Sequence, residues 1–165
     1  MKKKTLFITQ AAMVAALYVI LTLLAAMSGL SSGVIQIRFS EALTVLPCFF
    51  PAAIPGLFVG CIAANMLSGA LPLDVIFGSL ATLIGALGTY MLRRHKFLAP
   101  LPPIIANTLV VPFVLAYVYM FEGGVPYFML TVGIGELISC GLFGTLMTLL
   151  FVKRPTLVKR IGGNI

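Results

Sequence analysis

Hydrophobic positions fall along this chain in long blocks, and polar positions interrupt them at only a few places. Leu6 to Met27, Leu98 to Phe121 and Tyr127 to Val152 are each long enough to cross a bilayer as a helix. The stretch from Glu41 to Leu92 is too long for one helix and is cut by Pro47, Pro51, Pro55 and Pro72. The spanning length divides it into 40–53, 55–70 and 73–92. The first two are short, and Pro55 suits a first turn, where its missing N–H costs nothing. The pattern therefore predicts an all-α integral membrane protein with six transmembrane helices and a single domain over 1–165.

Small residues recur at helical spacing in the later blocks: Gly78, Ala81, Gly85 and Gly88, then Gly133, Gly141, Gly144 and Thr148. Such stripes let membrane helices approach closely, and packing is the reading for nearly all of these glycines.

Composition agrees with the pattern. The chain is 61% hydrophobic and 9% charged, with mean hydropathy +1.14. Soluble domains are about 25% charged, and a soluble fold this apolar needs a larger core than this length encloses. The apolar run after Met1 to Lys4 is about 22 residues, which is spanning length rather than that of a signal peptide.

The net charge of +7 does not indicate nucleic acid, because the basic residues cluster at the ends of apolar blocks. The clusters are Lys2, Lys3, Lys4; Arg93, Arg94, Lys96; and Lys153, Arg154, Lys159, Arg160. By the positive-inside rule they place both termini in the cytoplasm. Ser28 to Ser40, Ser68 to Pro72 and Glu122 to Pro126 are then the outer connections. Cys48, Cys61 and Cys140 are far apart in apolar sequence without ligand spacing, and read as small core residues.

The acids change the picture most. Glu41, Asp74 and Glu122 fall at or near the outer connections, whereas Glu136 lies about 15 Å into the last helix. A charge at that depth costs about 2.5–3.5 kcal/mol, so it needs a partner or a proton. Arg38 is the one basic residue outside the clusters, and Asn65 and Asn107 are other polar groups at membrane depth. Tyr117, Tyr119 and Tyr127 gather near the outer end, where an interfacial belt is one reading and solute contact another.

Arg38 and Glu41 suit a local ion pair with Ser40 as N-cap, or the rim of a solute pocket. Glu136, Arg38, Glu41, Asn65, Asp74, Asn107 and Tyr127 are the candidate ligand-binding residues. The sequence contains no phosphate-binding loop, no HExxH and no paired catalytic carboxylates, which argues against an enzyme and against self-powered transport.

The wording IQIRFSEALTVLP from Ile35 to Pro47, PAAIPG from Pro51 to Gly56, FGSLAT from Phe77 to Thr82 and the Gly135–Glu136 pair resembles the queuosine precursor transporter (QueT) family. The order of features is similar to the S components of energy-coupling factor (ECF) transporters. The resemblance implies a six-helix bacterial S component with an outer-side pocket, no cofactor, and ATP-driven import through a transmembrane T subunit and two ATPases. It also implies docking through an AxxxA pattern on the first helix, matched by Ala11 and Ala15 or by Ala12 and Ala16. A 7-deazaguanine precursor such as 7-aminomethyl-7-deazaguanine is the implied solute.

On that expectation Glu136 suits the donors of a guanine-like edge, and the outer acids suit an ammonium group. Other readings are an S component for a riboflavin- or thiamine-like vitamin, a small channel or membrane enzyme using Glu136 as a proton group, and a structural subunit without ligand.

Overall fold

The computed structural model describes residues 3–29 and 35–163, and every described element is helical. Helix α1 (Lys3–Met27) buries only Val14, Tyr18, Thr22 and Ala25, a stripe one residue wide at spacings of three and four. Its other faces expose Ile8, Met13, Leu17, Ile20 and Leu24, as a lipid-facing helix does. Residues 35–38 are not helical and lead into a ten-residue 3-10 helix, Phe39–Cys48. The expected connection Ser28 to Ser40 lies partly outside the described residues.

That 3-10 helix departs from expectation. A membrane α-helix over 40–53 is replaced by a rod whose residues from Ser40 to Cys48 are all buried. At about 2.0 Å rise per residue it reaches about 20 Å, farther than an α-helix of equal length. Buried along its length, it forms the centre of the bundle rather than a lipid-facing wall. Ser40 is inside this rod and bonds Thr22 at 2.8 Å, so it is no N-cap; Arg38 holds that position in extended conformation, without a side-chain cap.

Helix α2 (Ala53–Leu67) starts two residues earlier than expected, keeping Pro55 in its first turn. It packs on α1 through Gly56 and Gly60, where a Cβ would stand 2.6 Å from the Ala11 carbonyl oxygen and 2.9 Å from Ala15 Cα. Helices α3 (Pro72–Met91) and α4 (Leu101–Tyr117) form a close hairpin. Gly85 and Gly88 make room for Pro103 and Pro102, the packing use expected of that stripe.

The last span runs unbroken over Val125–Lys153 as α5 (Val125–Glu136), a π-helical segment (Leu137–Gly144) and α6 (Thr145–Lys153). A short α7 (Pro155–Arg160) folds back so that Ile161 accepts a hydrogen bond from the Gln10 side chain at 2.5 Å.

Among the described residues four helices are long and apolar enough to cross a membrane: Lys3–Met27, Pro72–Met91, Lys96–Tyr117 and Val125–Lys153. The 3-10 rod and α2 are shorter apolar helices between them. Apart from Arg38, the described basic residues gather at one end, where Lys96 lies 5.5 Å over the Phe49 ring and Phe49 meets Phe151 at 5.3 Å. Cys48, Cys61 and Cys140 are free and buried.

Candidate solute-binding site

The end opposite the basic clusters contains a cavity of about 690 Å³. Its walls come from α1, the 35–38 segment, the α2–α3 turn and the α4–α5 connection with the helix ends beside it. Local sequence explains why these pieces meet. At Gly135 a side chain would collide with the Gln36 carbonyl oxygen, so the glycine lets the 35–38 backbone lie directly on α5. One π-turn later, Ser139 Oγ accepts a hydrogen bond from the Arg38 backbone N–H at 3.1 Å. These two contacts fix the direction in which Gln36 and Arg38 enter the cavity.

Below the cavity is a crevice of about 20 Å³ that shares Gln36, Arg38, Val111 and Val132 with it. Its floor holds a buried polar cluster drawn from four elements. Asn107 Nδ2 on α4 donates to Glu136 Oε1 at 2.9 Å and to Glu41 Oε2 at 3.3 Å. Tyr18 on α1 donates to Glu41 Oε1 at 2.5 Å. Glu136 is 8% exposed, and its Oε2 has no partner among the described residues. Buried polar atoms are nearly always bonded, so this oxygen stands out.

The large cavity has a different chemistry. Asp74, at the start of α3, accepts a hydrogen bond from the Tyr119 hydroxyl at 2.8 Å, and that hydroxyl accepts the Leu71 N–H at 3.3 Å. Burial, together with the Asp74 hydrogen bond, holds the Tyr119 phenol above its ordinary range. Asn65 is buried at the wall with its amide 3.6 Å from Cys61 Sγ. Tyr127 lies at the rim, edge-on to Phe128 at 5.6 Å between centroids.

All seven candidate residues thus line one or the other of two adjoining spaces. Arg38, Asn65, Asp74 and Tyr127 surround the large cavity. Arg38, Glu41, Asn107 and Glu136 surround the crevice. Sequence reasoning missed Gln36, which faces both, and Tyr18, the partner of Glu41. A signal for Tyr18 exists: with Thr22 four residues on, it forms a polar step in the otherwise apolar stretch from Ala11 to Met27.

The local ion pair is not formed. Arg38 makes no ion pair among the described residues, and Glu41 turns instead to Tyr18 and Asn107. The extended backbone at Arg38 points its side chain away from the 3-10 helix and toward the cavity. Among the described residues the guanidinium donors have no hydrogen-bond partner, and Asp74 and Glu41 act on the group electrostatically.

The docking candidates divide in two. Ala11 and Ala15 are half-buried beneath Gly56 and Gly60 of α2, while Ala12 and Ala16 are exposed.

The profile of the QueT transporter family matches residues 8–153. The chain belongs to that family. Membership makes it a multi-pass membrane protein of a transporter family rather than an enzyme, as its apolar helices require. It is 43% identical over 96 residues to a "Queuosine precursor transporter QueT" from Lactococcus lactis subsp. cremoris (strain MG1363). That match spans 58% of this chain and 56% of the relative, so the chain covers about half of the relative's length. No solved structure matches the chain.

Proposed function

We propose that this chain is the solute-binding S component of an ECF-type importer, and that its cargo is a 7-deazaguanine queuosine precursor. The observation that carries the reading is the cavity of about 690 Å³, at the end away from the basic clusters and with polar groups left unspent. Its volume falls in the usual range for small-molecule sites, about 300–1,000 Å³. Arg38 donors, without a partner among the described residues, suit a ring carbonyl, Asp74 and Asn65 suit ring and exocyclic N–H groups, and Tyr127 and Phe128 offer faces for a planar bicycle.

The four long helices and the two shorter rods make six crossings, with both termini on the cytoplasmic side by the positive-inside rule. The cavity then opens outward. Transport in this reading is powered by a T subunit and two ATPases, with the exposed Ala12 and Ala16 as the docking face on α1.

The test is binding to the purified protein in detergent, by calorimetry, with 7-deazaguanines, riboflavin and thiamine in parallel. Mass spectrometry of small molecules carried through purification accompanies it. A 7-deazaguanine bound at least tenfold tighter than either vitamin is the expected result. Tighter binding of a vitamin keeps the S-component role and replaces the solute; binding of none removes both.

A further inference from the structure

The cavity and the crevice differ in size by more than tenfold, about 690 Å³ against about 20 Å³. A bicyclic ring has room only in the first. The second holds one small group, since a single water needs at least about 10–15 Å³ of such space. What lines that small space is unusual: two carboxylates joined through one amide, with Glu136 Oε2 buried and unpartnered.

We propose that the crevice is a subsite for a primary ammonium group carried on a short arm of the solute, with Glu136 as its receiving carboxylate. This rests on the solute reading above and reverses the expected orientation: the ring stays in the upper cavity and the cationic arm points inward. It also makes the aminomethyl precursor, rather than its neutral nitrile counterpart, the preferred cargo.

The charge balance supports the assignment. Glu41 and Glu136 together bring two negative charges when ionised, and Arg38 brings one positive charge. Buried charges are tolerated when paired, so one further positive charge is wanted at the unpartnered oxygen. An ammonium meets that need with three donors in a compact head. A nitrile has no donor, and its nitrogen lone pair would face a carboxylate.

In the empty protein a proton held by one of the two carboxylates supplies the missing charge. Binding of the amine then releases it to solvent as the ammonium takes its place. The other titratable groups acting on these carboxylates are Tyr18 on α1, Arg38, Cys61 on α2 and Cys140 in the π-segment. Asp74 of α3 acts through Arg38, and α4 contributes only the neutral Asn107.

The test compares 7-aminomethyl-7-deazaguanine with its 7-nitrile analogue on the purified protein, by calorimetry in two buffers of different ionisation enthalpy. The amine should bind at least about tenfold tighter, with release of close to one proton and an affinity that rises with pH near neutrality. The nitrile should release none. Glu136→Gln should weaken the amine about tenfold or more while moving the nitrile by less than about threefold.

Equal affinities in the wild type, or amine binding without proton release, overturns the subsite. So does a Glu136→Gln effect equal on both compounds. The wild-type comparison decides even where the variant fails to fold. Failure of both compounds to bind removes the solute reading itself, a separate outcome.

Discussion

Gly135 lies directly under the Gln36 carbonyl oxygen, with no side chain between the two backbones. This contact seats the 35–38 segment on α5 and aims Gln36 and Arg38 into the cavity. Gly135→Ala forces the segment away, because backbone rather than a flexible side chain occupies the space. Overpacking of this kind costs about 1–3 kcal/mol. The variant should insert and retain its helical circular dichroism but bind solute at least tenfold more weakly. Ser139→Ala, which removes only one hydrogen bond, should cost less than tenfold. Undiminished affinity in Gly135→Ala, measured by calorimetry, means that the segment does not shape the site.

A second prediction concerns Tyr18. Its hydroxyl bonds Glu41 at 2.5 Å inside a fully buried environment. Tyr18→Phe keeps the ring packing and removes one donor from a buried carboxylate, leaving Asn107 as its remaining partner. A lost charge-assisted bond of this kind costs about 1.5–3 kcal/mol. Thermal unfolding in detergent should shift down by several degrees. An unchanged melting temperature counts against the bond as a support of the cluster.

Tyr119 supplies the pH prediction. Its phenol is held above the ordinary range by burial and by the Asp74 carboxylate, so folding favours the protonated form. The stability from this bond is fully present below the unfolded value of about 10 and is lost as pH rises through the higher folded value. Solute binding should therefore show no pH dependence arising from Tyr119 between about pH 6 and 8.5. Tyr119→Phe should weaken binding about threefold to tenfold at every pH in that window, reflecting one lost hydrogen bond. An ultraviolet phenolate titration should show one late-ionising tyrosine fewer in the variant. The same late ionisation in both proteins rules out the Asp74 latch.

How much of this was legible in the sequence depends on what each signal measures. Hydropathy reports length, so 73–92 and 127–152 were found close to Pro72–Met91 and Val125–Lys153. It says nothing of helix type, so the 3-10 rod Phe39–Cys48 and the π-turns after Glu136 were not seen. Both matter to the site. The narrow rod turns Glu41 inward to Tyr18, and the π-segment carries the Ser139 that holds Arg38.

Isolated polar residues in apolar sequence, such as Asn107 and Glu136, pointed to the cluster. Their pairing did not, because Asn107 and Glu136 stand 29 positions apart and Asn107 and Glu41 stand 66 apart. Local spacing reaches only three or four positions along a helix.

The last prediction separates the two faces of α1. Ala11 and Ala15 are covered by Gly56 and Gly60 of α2, so a large side chain there must displace that helix. Ala12 and Ala16 point outward beside exposed Ile8 and Ile20, leaving a shallow face one methyl deep. Lipid gives no hydrophobic drive for two membrane helices to join, so a partner helix needs a surface that admits close approach.

Ala12→Trp with Ala16→Trp should leave solute affinity within about twofold, because the cavity lies at the far end of the helix, while abolishing assembly with the proposed T subunit and uptake in cells. Ala11→Trp with Ala15→Trp should instead lower the melting temperature and weaken binding. Pull-down of the T subunit, uptake of labelled solute and calorimetry on both double variants distinguish the two faces. Intact uptake in the Ala12 and Ala16 variant moves docking to another surface, and lost binding in that variant places these alanines inside the fold.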